Sequence, residues 1–152
     1  MDRRAVTLAG LLTLSLVAAC STGPVEISAR PLAGVVGGAP WTLVSAETDP
    51  YLSANSETFF VSASAEALTA CTDAVSTGNS LILSIPKTAG DYPLSDSFKQ
   101  TFYLAAANVN YVTTLGRVVV DEVTTTTIRA QAHVRFDDAN EVDGNFSATI
   151  CP

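Results

Sequence analysis

Charge is scarce in this chain: only 15% of its 152 residues are Asp, Glu, Lys or Arg, against roughly 25% in ordinary globular domains. What charge there is leans one way, with eight basic against fifteen acidic residues and a net charge of −7. A shortage of cations disfavours nucleic acid as a partner, because phosphate binding draws its strength from Lys and Arg displacing counterions. The same argument disfavours anionic headgroups. Histidine occurs once, at His133, and a lone imidazole does not supply the three or four ligands that zinc takes. A Gly-x-Ser-x-Gly elbow, a His-Glu-x-x-His helix and a Gly-rich phosphate loop are all missing. No catalytic residue, metal ligand set or cofactor is therefore expected. Long apolar runs are also missing, apart from a charge-free stretch of fifteen residues from Ala5 to Ala19. That run falls short of the roughly eighteen or more residues of a membrane-spanning helix.

What surrounds that run has the three parts of a secretory signal: Arg3 and Arg4 before it, small Ala18 and Ala19 at its end, and then Cys20. Leu16-Val17-Ala18-Ala19-Cys20 resembles the lipobox of bacterial lipoprotein precursors. The resemblance implies removal of residues 1–19, a diacylglyceryl thioether on Cys20, an amide-linked acyl chain on its new amino group, and membrane attachment through that lipid. Ser21, where an aspartate would imply retention at the inner membrane, implies sorting to the outer membrane, so the expected address is the cell envelope. Gly37-Gly38-Ala39-Pro40-Trp41, Gly90-Asp91-Tyr92-Pro93-Leu94 and Asp143-Gly144-Asn145-Phe146 are similar to stretches of small bacterial lipoproteins of uncharacterised function, and they bring no activity with them.

Without Asp2, Arg3 and Arg4 the chain keeps six basic and fourteen acidic residues, near −8. Residues 20–31, rich in Ser, Gly and Pro, read as a lipidated N-terminus and flexible tether. Residues 32–152 read as one domain. With Cys20 occupied by lipid, Cys71 and Cys151 are left as a pair in an oxidising compartment. Closing a loop of about eighty residues would contribute about 4 kcal/mol on the chain-entropy model. Two buried free thiols are the alternative.

The remaining pattern is that of strands. Leu32–Val36 and Trp41–Ser45 flank Gly37-Gly38 as a hairpin. Thr58–Ala65, Ser80–Pro86, Gln100–Ala106, Asn108–Thr114, Arg117–Val123, Ile128–Phe136 and Asn145–Cys151 follow, with period-two alternation strongest where Ile128, Ala130, Ala132, Val134 and Phe136 interleave with Arg129, Gln131, His133 and Arg135. Residues 65–71 are helix-friendly but allow only a turn or two, and residues 47–56 read as loop. The expected fold is all-β: an antiparallel two-sheet β-sandwich, jelly-roll-like, with a closed β-barrel as runner-up.

Several residues invite chemistry and have a plainer reading beside it. His133 faces outward between Arg129 and Arg135, as a surface histidine would. The acidic run from Asp137 to Gly144 holds the oxygen ligands Ca²⁺ prefers, but not at EF-hand spacing, and a solvated hairpin turn explains it equally. Tyr51 and Phe60 are the aromatic candidates for a carbohydrate surface, although aromatics at strand positions usually fill a core. Thr124–Thr127 reads as a hydroxyl-rich strand edge. The leading function is a lipid-anchored binding or structural module of the envelope. A carrier of a small apolar ligand and a hydrolase built on a carboxylate pair are the alternatives.

Overall fold

The structure is a computed structural model that describes residues 25–54, 56–72 and 74–152. Residues 1–19, expected as a signal segment, and Cys20 lie outside the described residues. Eleven strands and one helical turn follow in order: β1 (Ala33–Val36), β2 (Ala39–Thr42), β3 (Ser45–Thr48), α1 (Pro50–Ser53), β4 (Thr58–Ser64), β5 (Ser80–Pro86), β6 (Gly90–Pro93), β7 (Gln100–Leu104), β8 (Val109–Thr113), β9 (Leu115–Val123), β10 (Thr127–Asp137) and β11 (Asn140–Thr149). The all-β class stands.

The two-sheet sandwich is corrected. Nine strands hydrogen-bond in one continuous path, β6-β9-β10-β11-β3-β4-β5-β7-β8, with β1 and β2 attached beside β11. The sheet curls into a half-barrel, and its two arms join where Thr149 of β11 meets Glu47 of β3 in a short parallel pairing. Every other pairing along that path is antiparallel. Alternation shows which face of a strand is buried and does not show which strands are neighbours. A sheet curled onto itself therefore carries the same pattern as two facing sheets. The barrel is not hydrogen-bonded shut either: β6 and β8 are the ends of the path. The arms still meet, because the chain passes from β8 to β9 across Thr114 alone, and the Thr113 hydroxyl donates to the Arg135 carbonyl at 2.6 Å.

The concave face is filled by side chains from both arms. Val61, Leu81, Leu83, Ile85 and Phe102 come from one, Val118, Ile128, Ala132, Val134 and Val142 from the other, and all are fully buried. Gln100 is buried among them and acts as an extra rung of ladder, accepting from the Ser84 N–H at 2.6 Å and donating to the Ser84 carbonyl at 3.0 Å. These buried residues pack against one another inside the curl.

Smaller differences have local causes. Asp49 caps α1 by accepting the Leu52 N–H, with Pro50 in the first turn, so Asp-Pro is a helix start within the expected loop. Residues 65–71 hold no helix: they bend at 65–66, run irregularly over 67–69 and turn at 70–71. Thr124 closes the β9–β10 hairpin, accepting from the Thr126 and Thr127 N–H groups, so residues 124–126 of the threonine run form the hairpin connection and only Thr127 belongs to a strand, as the start of β10. Residues 28–31, at the end of the expected tether, lie against β11. Asp143 accepts the Ser28 N–H at 3.0 Å, Asn145 donates its side-chain amide to the Ala29 carbonyl at 2.6 Å, and the Asn145 N–H donates to the Arg30 carbonyl at 2.8 Å. Arg117 reaches the Val25 carbonyl at 2.9 Å.

Candidate functional site: a cleft on the convex face

The side chains that β3, β4, β5 and β7 turn away from the core are small or hydroxylated: Ser45, Ser62, Ser64 and Ser80, with Ile82 and Tyr103 among them. The register sets them side by side, Ser45 opposite Ser64, Ser64 opposite Ser80, and Ser80 opposite Tyr103. Strands β4 and β5 are antiparallel neighbours that a two-residue turn could join. Residues 65–79 connect them instead, and this long excursion lies over the convex face. Between loop and sheet is a cleft of about 360 Å³, walled by Leu68, Ala70, Ala74, Val75 and Ser76. The size is that of a small-ligand pocket, for which roughly 300–1,000 Å³ is usual.

The loop is held at three places. At its tip Cys71 is disulfide-bonded to Cys151, beyond the end of β11, with Cα atoms 5.3 Å apart. The pairing expected from the sequence is present, with Cys151 buried and Cys71 exposed. Glu47 of β3 accepts the Cys71 N–H from below. At the loop's base, Glu66 accepts the Thr77 N–H at 2.9 Å and its hydroxyl at 2.8 Å. At its exit, Asn79 binds three separate parts of the chain. Its carbonyl accepts from the Trp41 indole, its amide donates to the Val36 carbonyl, and its side-chain oxygen accepts the Ala105 N–H, all at 3.0–3.1 Å.

The hydrogen bonds from Thr77 hold the Glu66 carboxyl below its ordinary value, the backbone N–H being the larger cause. A group whose folded pKa is depressed stabilises the fold above its unfolded pKa and loses that effect as pH falls through the folded one. The Thr77 amide is therefore expected to keep its hydrogen-exchange protection through the normal glutamate range and to lose it only at more acid pH. Protection lost in step with an unperturbed glutamate would show that the brace does not hold the loop.

Among the described residues, Glu47 is the only charged side chain lining the cleft. A second crevice of about 340 Å³ around the disulfide adds Asp49 to Glu47, and both carboxylates accept backbone N–H bonds. Glu47, Cys71 and Cys151 bring possible metal-ligating atoms within 4.8 Å of one another. The two sulfurs are bonded to each other, so neither is the thiolate that a metal would take.

His133, the acidic run, Tyr51 and Phe60 line neither space. His133 is one member of a charged row across the outer face of the other arm. Its ring nitrogens stand 3.7 Å from Glu141 and 3.9 Å from Asp143. Arg117, opposite it on β9, forms a two-pronged pair with Asp91 at 2.6 and 2.7 Å. These carboxylate neighbours come from a different strand, which is why the local sequence around His133 does not reveal them. The acidic run is two things rather than one. Asp137 ends β10 and accepts from Ala139 and Asn140 across the turn, and Asp138 stands in the turn and pairs with Arg135. Glu141 and Asp143 already belong to β11, where Arg135 and Arg30 pair with them. Tyr51 is exposed on α1, while Phe60 is half-buried on β4.

The signal that could have located the cleft is the length of residues 65–79 together with hydroxyl side chains on the outer positions of β4 and β5. Comparison with protein-family models, with curated proteins and with solved structures found no match to the chain.

Proposed function

We propose that the chain is an exported lipoprotein, anchored in the cell envelope through Cys20, whose β domain acts as a binding module with the convex cleft as its contact surface. One observation carries this reading: Cys71 and Cys151 are bonded to each other, which leaves Cys20 as the odd cysteine of the three, at the end of a lipobox-like stretch. A disulfide suits an oxidising compartment outside the cytoplasm, where a chain led by such a signal would be delivered. At about 0.8 kcal/mol per buried methylene, one acyl chain binds a bilayer only marginally, whereas two or more give a stable anchor.

Cys20→Ala is expected to abolish incorporation of radiolabelled palmitate and to leave residues 1–19 uncleaved. Palmitate labelling unchanged in the variant would refute the anchor. So would recovery of the native chain from the cytosol with residues 1–19 attached.

A further inference from the structure

We propose that the convex cleft binds a small amphiphile with a cationic head and an apolar body. The inference rests on the cleft being the binding surface, and it is independent of the anchor. The cleft sorts its own lining by chemistry. Leu68, Ala70, Ala74, Val75 and Ile82 supply an apolar wall and floor, and two of them lie open to solvent, Val75 at 81% and Ile82 at 37%. A β-branched side chain on the convex face of a sheet and another on the loop above it gain by sharing an apolar occupant, about 25 cal/mol for each Å² removed from water.

The polar part of the lining is divided as well. Ser45 donates to the Glu66 carbonyl, and Ser64 and Ser76 bond to each other, so these three hydroxyls fasten the loop. Among the described residues, Ser62 and Ser80 make no such bond and face the cleft, where they can address a ligand. Glu47 closes one end. One of its oxygens accepts the Cys71 N–H, and its carboxylate lies in the walls of both cleft and crevice. No Lys or Arg lines either space among the described residues. An anionic head would therefore meet a carboxylate with no counter-charge, whereas an ammonium would complete a pair at a half-buried site, where the effective dielectric is well below that of water. The sign of the whole chain, −7, acts in the same direction.

The test uses the purified full chain in solution and two photoactivatable probes with the same diazirine-bearing octyl chain, one ending in trimethylammonium and the other in carboxylate. The ammonium probe is expected to label residues 62–82 saturably, in competition with unmodified octyltrimethylammonium. Its half-saturation should lie roughly tenfold below that of the carboxylate probe, the effect of one unscreened partner charge. Glu47→Gln should remove that preference and leave the labelled segment the same, and Ser62→Trp, which fills the floor, should suppress labelling by both probes. Equal saturable labelling of residues 62–82 by the two probes would overturn the cationic preference while leaving the cleft as the binding surface. Labelling that does not saturate, or that falls outside the cleft, would overturn the cleft itself.

Discussion

Removing the bridge by Cys71→Ser with Cys151→Ser is expected to lower the melting temperature by roughly 15 °C, the shift that about 4 kcal/mol produces in a domain of this size. The sulfurs join positions 80 residues apart, so the cross-link removes much of the freedom of the unfolded chain. In the folded state it does a second thing: it ties the tip of the loop to the segment just after β11, near where the two arms of the sheet meet in a single parallel pairing. Hydrogen exchange separates the two effects. Amides of residues 65–79 should lose protection by more than the global change, while those at the centre of the β9–β10 ladder follow global stability alone. Thermal unfolding by circular dichroism measures the first quantity. A fall of less than about 3 °C would mean that the loop and the junction are held by their hydrogen bonds and not by the bridge.

Gly116→Ala is expected to destabilise the fold by roughly 3 kcal/mol or more, since backbone strain and overpacking act at the same atom. Gly116 sits in β9 opposite Val134, immediately after the chain has crossed from one arm to the other. Its φ is +138°, and an added Cβ would lie 2.0 Å from the His133 carbonyl oxygen. That oxygen is main chain in the neighbouring strand β10, so it does not give way as a side chain would. Gly38→Ala is the matched control. Gly38 also has a positive φ, +76°, in the β1–β2 turn, but its Cβ would meet nothing within 4 Å. It should cost only the conformational strain, about 1 kcal/mol. Urea unfolding of the two variants isolates the clash, and equal losses would show that φ alone matters at both sites.

Much of the strand content can be read directly from the sequence. The alternation from Ile128 to Val134 is that of β10, buried on one face without interruption. Phe136 departs from it: a register shift falls between Arg135 and Asp137, and the ring is 38% exposed, stacked on Tyr111 at 4.8 Å. The start of β11 is hidden for the opposite reason. Asn140, Val142 and Gly144 face inward, but two of the three are turn formers by composition, and the acids between them look like a loop. Sheet order and curl cannot be read, because they depend on which strands pair across tens of residues. The cleft is hidden for a related reason. Its floor is made of outward positions, which a search for core residues sets aside, and its wall is a loop whose path is decided by long-range ties such as the Cys71–Cys151 bridge and the Asn79 contacts.

The docking of the N-terminal segment gives an anchored domain a top and a bottom. Cys20 is five positions from Val25, at most about 18 Å of chain, and Val25 is gripped by Arg117 on the outer face of the β9–β11 arm. A lipid on Cys20 would hold that face toward the bilayer. Each of its arginines is paired with an acid, Arg117 with Asp91, Arg30 with Asp143, Arg129 with Glu122 and Arg135 with Glu141 and Asp138, so none of these four is left over to bind anionic headgroups. The cleft opens on the outer face of the opposite arm, and a chain anchored through Cys20 as proposed would sit with its back to the lipid and its mouth turned to the aqueous space beyond.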